Sequence, residues 1–115
     1  MFDFEKLNVY SKAKGLSKEI IAFLREVKAI DSYVRDQLKR ASISAVINIA
    51  EGSGKFTKAD KRKFYIISRG SIYECVSLLE LIRDDGLISD EQFNNFYKKH
   101  EELSKMLLGL INSQS

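Results

Sequence analysis

The chain has 115 residues, of which 44% are hydrophobic and 30% are charged, so it can bury one modest core without disulfides. Its 19 basic and 16 acidic residues nearly balance, and the formal charge of +3 permits an acidic partner without requiring one. The single cysteine, Cys75, cannot form an intrachain disulfide, no signal peptide begins the chain, and no apolar run approaches the ~20 residues that span a bilayer. These features predict one cytoplasmic domain over residues 1–115, without contact to a membrane.

The spacing of apolar residues predicts helices, and the absence of proline favours long ones. Apolar positions three and four residues apart indicate a first helix over roughly residues 4–28. A second helix is expected to begin at an N-cap provided by Asp31 or Ser32 and to end near Gly52. We expect Gly52 and Gly54 to supply the left-handed backbone positions that end this helix.

Capping residues also mark the third and fourth helices. Thr57 begins a third helix that continues to Asp85, where Gly86 ends it. Ser89 and Gln92 form the capping box of a fourth helix that runs to the end of the chain. Four amphipathic helices with short connections predict an all-α fold, an antiparallel up-down-up-down four-helix bundle.

The second helix carries apolar residues on two sides. One strip is expected to face the core of the bundle. A second strip lies on a different side of the helix and consists of Ile43, Val46, Ile47 and Ala50. Either the bundle buries this helix on nearly all sides, or another subunit covers the second strip. Because each helix of a four-helix bundle has a solvent-facing side, we favour the second alternative and predict a homo-oligomer.

A polar line lies between these strips on one flank of the second helix. Its members follow at intervals of three or four residues: Gln37, Arg40, Ser44, Asn48 and Glu51. An antiparallel third helix can bring Ser71 and Glu74 against this line, and Glu74 can meet Asn48 or Gln37. We interpret Gln37, Asn48, Glu51, Ser71 and Glu74 as a structural hydrogen-bond network that fixes helix register, because a buried carboxylate is costly without donors around it.

The chain lacks the side chains that catalytic and metal sites require. Its single histidine, His100, falls on the apolar stripe of the fourth helix, which argues against a nucleophilic triad, a zinc site or a ferritin-type di-metal site. The segment Gly52 to Lys55 lacks the spacing of a Walker loop, although its amides can hold one phosphate weakly. We therefore expect no catalytic residue, no metal and no cofactor.

The densest charge cluster, named here the basic corner, lies at the turn into the third helix. It consists of Lys55, Lys58, Lys61, Arg62 and Lys63. Lys39 and Arg40 add charge along the second helix, and Phe56, Phe64 and Tyr65 offer rings that can stack on bases. The alternative is that the basic corner is only the solvated start of a helix and binds nothing. In an oligomer, however, the basic corner is repeated, which favours avid binding of phosphates. These seven basic residues are therefore candidate contacts to RNA or DNA.

Two stretches, DQLKRASISAVINIAEGSGK at residues 36–55 and KFYIISRGSIYE at residues 63–74, resemble the four-helix bundle family named for 23S rRNA intervening sequences. Lys39 replaces an arginine of that family's pattern. The resemblance implies a homopentameric ring of antiparallel bundles. It extends to the accessory variability protein of diversity-generating retroelements, which partners a reverse transcriptase and binds nucleic acid. Most family members have no established biochemical activity.

Three hypotheses for the function follow. The first is a non-enzymatic, oligomeric protein that binds nucleic acid or acts as a scaffold through the basic corner. The second is a protein-interaction adaptor, for example for a reverse transcriptase, without a nucleic-acid function of its own. The third is an enzyme that uses Glu51 and Glu74, which the missing catalytic companions disfavour.

Overall fold

A computed structural model describes all 115 residues and contains helices but no strands. A short 3-10 helix at Asp3–Lys6 precedes four α-helices. These are α1 (Asn8–Glu26), α2 (Ser32–Ser53), α3 (Lys58–Asp84) and α4 (Asp90–Ser113). The prediction of an all-α four-helix fold is confirmed, and none of the helices combines the length and apolar character needed to cross a bilayer.

The predicted N-caps are present at three helices. The carboxylate of Asp31 accepts hydrogen bonds from two backbone amides at the start of α2, at 2.9 and 3.2 Å. Thr57 and Ser89 each accept one amide hydrogen bond, both at 3.1 Å, at the starts of α3 and α4. Helix α1 begins later than predicted, because Leu7 is extended and separates it from the preceding 3-10 turn.

Of the three glycines predicted to end helices in a left-handed conformation, one does so and two do not. Gly86 has a φ of 74° and follows α3 as expected. The expectation for Gly52 and Gly54 is wrong, since Gly52 lies within α2 and Gly54 has a φ of −88°. Gly52 is needed for space instead: a Cβ there would lie 2.7 Å from Cε1 of the Tyr65 ring on α3. A close helix contact, not a left-handed turn, therefore explains this glycine.

Neighbouring helices pack in antiparallel pairs. Each helix contacts those before and after it, and α1 also contacts α4, with the most extensive contact between α2 and α3. Pairs between α2 and α3 run in opposite order along the chain: the hydroxyl of Ser68 donates to the carbonyl of Ala45 at 2.7 Å, and Ser71 meets Ser44 further along. One cluster of 20 buried residues forms the core between the helices.

The core includes two ionisable groups held in their neutral forms. His100 is fully buried, and its Nδ1–H donates to the carbonyl of Phe96 at 2.7 Å. Burial lowers the pKa of His100, although this hydrogen bond and the charge of Glu19 act in the opposite direction. Burial, with a smaller contribution from Glu74, raises the pKa of the Cys75 thiol to about 12. These groups therefore pack as neutral core side chains, as the sequence indicated for His100.

Candidate nucleic-acid and subunit interfaces

The basic corner lies where α2 ends and α3 begins. Lys58, Arg62 and Lys63 are exposed on the first turns of α3 and form no ion pair. Lys55 lies in the preceding loop, with its Nζ 4.8 Å from the centre of the Phe64 ring. Cations at a helix N-terminus face the positive end of the helix dipole, so this arrangement does not stabilise α3. Four basic side chains therefore remain available to anions.

Lys61 differs from the other members of the basic corner. Its side chain is half-buried, and its Nζ donates to the carbonyl oxygen of Ser53 at 2.8 Å. That carbonyl belongs to the last turn of α2, where carbonyl groups lack partners within the helix and a cation is favourable. Lys61 thus caps α2 and joins it to α3. Its ammonium group is therefore less available to a phosphate than those of the other members of the basic corner.

The two basic residues of α2 lie away from the basic corner. Ser53, at the end of α2, is 14 residues beyond Lys39, which is roughly 20 Å along a helix. Arg40 is engaged, because its Nη2 donates to the Glu74 carboxylate at 2.5 Å and to Gln37 at 3.1 Å. The structure therefore separates Lys39 and Arg40 from the other candidate phosphate contacts.

The aromatic residues near the basic corner differ in exposure. Phe56 is fully exposed in the loop before α3, and Phe64 is half-buried under Lys55. Tyr65 is only 3% exposed and packs against Gly52, and burial raises its pKa. The stacking role predicted for Tyr65 is wrong, because its ring is enclosed between α2 and α3. Phe56 is the ring that remains open to a ligand.

The polar line of α2 forms two separate groups of hydrogen bonds with α3. In the first, Arg40 links Gln37 to Glu74, as described above. In the second, Ser71 donates to Ser44 at 3.0 Å, and the Asn48 amide donates to the carbonyl and hydroxyl oxygens of Ser44 at 2.9 and 3.1 Å. Both groups lie in the seam between α2 and α3, where they restrict the relative position of the two helices.

Glu51 lies outside this seam. It is exposed, and its carboxylate makes neither a hydrogen bond nor an ion pair. Glu74 is paired with Arg40, which lies 11 residues before Glu51, roughly 16 Å along α2. The structure thus separates Glu51 from Glu74. It also contains no group of three or more His, Cys, Asp or Glu residues suited to a metal ion.

The second apolar strip of α2 is open in the single chain. Ile43 is 36% exposed and Ile47 is 48% exposed, whereas Val46 and Ala50 are half-buried. Val46 packs against the core of its own bundle. The alternative in which the bundle buries α2 on nearly all sides is therefore wrong. Ile43 and Ile47 form a ridge along the outer side of α2, named here the α2 ridge.

A second apolar surface, which the sequence analysis missed, lies between α3 and α4. It is a groove in which one section has a volume of about 430 Å³, and the lining of that section includes Arg69, Tyr73 and Tyr97. Ile66 and Leu108 continue it toward the basic corner, and the exposed fraction of Tyr73 is 58%. The seven-residue interval between Ile66 and Tyr73, outside the core stripe of α3, was the signal available in the sequence. This surface is named here the α3–α4 groove.

Comparisons with known proteins agree with this fold. The model of a family described as 23S rRNA-intervening sequence protein matches residues 5–109. The chain is similar to a protein of unknown function from the S23 ribosomal protein family of Bacteroides thetaiotaomicron, with 24% sequence identity and a TM-score of 0.83. That similarity covers 90% of this chain and 97% of the other, and it shows a shared fold. No curated protein matches the chain.

Proposed function

Because the chain belongs to the 23S rRNA-intervening sequence protein family, we propose that it is a non-enzymatic homo-oligomer, a pentamer, that binds RNA or DNA through its basic corner. The observation that supports this most directly is the set of exposed cations without acidic partners on the first turns of α3, Lys58, Arg62 and Lys63. A helix start normally favours carboxylates, so these cations are better explained by a bound anion than by helix stability.

The assembly strengthens this surface. One basic corner supplies only a few phosphate contacts, which on their own give weak binding. A ring of subunits repeats the basic corner, so a nucleic-acid strand that meets several copies gains avidity without any new contact. The α2 ridge supports such assembly, because exposed isoleucines at adjacent turns of one helix are typical of a contact between subunits. The family description also refers to 23S rRNA, which is in keeping with a role at nucleic acid.

Titration of labelled RNA and DNA over a range of salt concentrations tests the proposal. Contacts to phosphate predict that the logarithm of the affinity falls linearly with the logarithm of the salt concentration. The double variant Lys58→Glu/Lys63→Glu is expected to weaken binding at least about tenfold, because each reversal replaces attraction to phosphate with repulsion. Absent binding, or affinity that does not depend on salt, would contradict the proposal.

Lys18→Glu/Lys98→Glu is the matched control. It makes the same change in net charge at two exposed lysines that form no ion pair and lie on α1 and α4. The control should keep most of the affinity, and both variants should keep the helical circular dichroism and oligomer mass of the parent. An equal loss in both would indicate a response to net charge alone.

A protein-interaction adaptor is the second candidate, and the exposure of Phe56 favours it. A large ring without packing partners in a loop suits insertion into a pocket of another protein. The two candidates give different results in a pulldown. An adaptor retains a protein and no nucleic acid, and nuclease treatment leaves the retained protein in place.

A further inference from the structure

The single chain exposes two apolar surfaces of opposite shape. The α2 ridge is convex, because Ile43 and Ile47 are exposed on the rounded surface of a single helix. The α3–α4 groove is concave, and Tyr73 and Tyr97 lie along it. Packing between helices places the ridges of one surface into the grooves of another. The α2 ridge thus has the shape of an occupant of the α3–α4 groove.

The charges beside the two surfaces have matching separations. Lys39 lies one turn before the α2 ridge and Glu51 one turn after it. The two residues are 12 positions apart, which is about 18 Å along the helix. Arg69 and Glu80 line the groove 11 residues apart on α3, about 16 Å along that helix. None of the four forms an ion pair within the chain.

The signs of these charges select one direction of approach. When α2 of one copy runs antiparallel to α3 of the next, Glu51 meets Arg69 and Lys39 meets Glu80. Ile47 then lies at the level of Tyr73. The parallel direction places Lys39 beside Arg69 and one glutamate beside the other, and such like-charge contacts are unfavourable.

We propose that the α3–α4 groove receives the α2 ridge of a second copy of this chain, in an antiparallel, head-to-tail contact. The inference rests on the proposed oligomer and specifies its contact surfaces. The two surfaces differ and occupy different sides of the bundle, so each subunit engages two neighbours, as a ring requires. In this contact Lys39 faces a subunit instead of phosphate, while Lys58 and Lys63 remain free at the basic corner.

Cysteine crosslinking tests the pairing of the two surfaces. The variants are Ile47→Cys, Tyr73→Cys and the chain with both substitutions, each treated with a short bismaleimide. Cys75 can stay in place, because its side chain is fully buried and inaccessible to the reagent. The double variant should give a ladder of covalent multimers up to the full ring. Each single variant should stay monomeric on a denaturing gel, and a mixture of the two should give dimers only.

Other results would overturn the inference. Crosslinking of Ile47→Cys alone would indicate that two α2 ridges meet across a two-fold axis. An oligomer by light scattering that forms no ladder would refute this contact and leave the proposed oligomer intact. A monomeric parent protein would refute both the proposed oligomer and this contact. If the monomer bound RNA in the α3–α4 groove, RNA and not a second subunit would be the occupant of the groove.

A charge exchange supplies a second, independent test. Lys39→Glu and Glu80→Lys each place like charges together in the proposed contact, so each should weaken association about fivefold or more. The two substitutions together reverse the pair and should restore association toward that of the parent. Both residues are exposed and unpaired within the chain, so folding should be unaffected. Losses that add in the double variant, without restoration, would refute the pairing of Lys39 with Glu80.

Discussion

Gly52→Ala is expected to destabilise the protein, although alanine usually stabilises a helix. A Cβ at position 52 would lie 2.7 Å from Cε1 and 2.9 Å from Cδ1 of Tyr65, whereas ordinary contacts begin at 3.4 Å. The ring would have to move by about 0.7 Å to restore an ordinary contact. Tyr65 is buried between α2 and α3, so it cannot rotate into solvent.

The magnitude follows from two opposing effects. Replacing glycine in a helix interior gains about 1 kcal/mol of helix propensity, and the gain is smaller at Gly52, the second-to-last residue of α2. Overpacking a closed site costs about 1–3 kcal/mol, so we expect a net loss of about 1 kcal/mol for Gly52→Ala. Gly70→Ala is the matched control, because a Cβ at Gly70 within α3 meets nothing within 4 Å. It should gain up to about 1 kcal/mol, which places the two variants roughly 2 kcal/mol apart.

Urea denaturation followed by far-UV circular dichroism measures this difference. All variants should be compared at one protein concentration, because the stability of an oligomer depends on it. Tyr65→Leu in the Gly52→Ala background should recover part of the loss, since it removes the ring atoms nearest the new methyl group. If Gly52→Ala is as stable as Gly70→Ala, the close contact between α2 and α3 does not exist as described.

Three further predictions concern ionisable groups. Burial lowers the pKa of His100 below its usual 6.5, so the unfolded chain binds a proton that the folded chain lacks. The free energy of unfolding should therefore have its full value above pH 6.5 and fall as the pH drops below it. His100→Gln should flatten this pH dependence in urea titrations. Cys75, with its pKa raised to about 12, should react with a disulfide reagent only after unfolding, and rapid labelling of the native protein would contradict its burial. Glu74→Gln should lower the free energy of unfolding by less than about 1 kcal/mol, because the carboxylate and Arg40 are both more than one-third exposed, and a loss above about 2 kcal/mol would mean that the seam depends on this pair.

The sequence alone correctly predicted the features that depend on residues close together along the chain. The caps at Asp31, Thr57 and Ser89 form between residues two or three positions apart, and helical periodicity reports the burial of one face. Gly52 was misread because local chemistry cannot distinguish a glycine that ends a helix from one that admits a ring of another helix. Only the packing of α2 against α3 separates these explanations.

The candidate sites were predicted less well, because they depend on contacts between helices. Charge density along the sequence placed Lys61 with Lys58 and Lys63, but its hydrogen bond to Ser53 engages it elsewhere. Arg40 was also a candidate phosphate contact, but the Glu74 carboxylate of α3 pairs with it. The α3–α4 groove combines Ile66 and Tyr73 of α3 with Leu108 of α4, and the spacing within α3 alone does not show that α4 forms the other wall.

The seam between α1 and α4 is the least extensive contact between neighbouring helices, and exposed ion pairs at Lys12–Glu102 and Glu19–Lys99 join it. Such pairs contribute little stability, so thermal opening of the bundle should begin where the first helix detaches from the last. The α2 ridge, the α3–α4 groove and the basic corner are built from α2, α3, α4 and the loop between α2 and α3, without α1. Partial unfolding can therefore loosen the amino-terminal segment while the surfaces assigned to assembly and anion binding keep their shape.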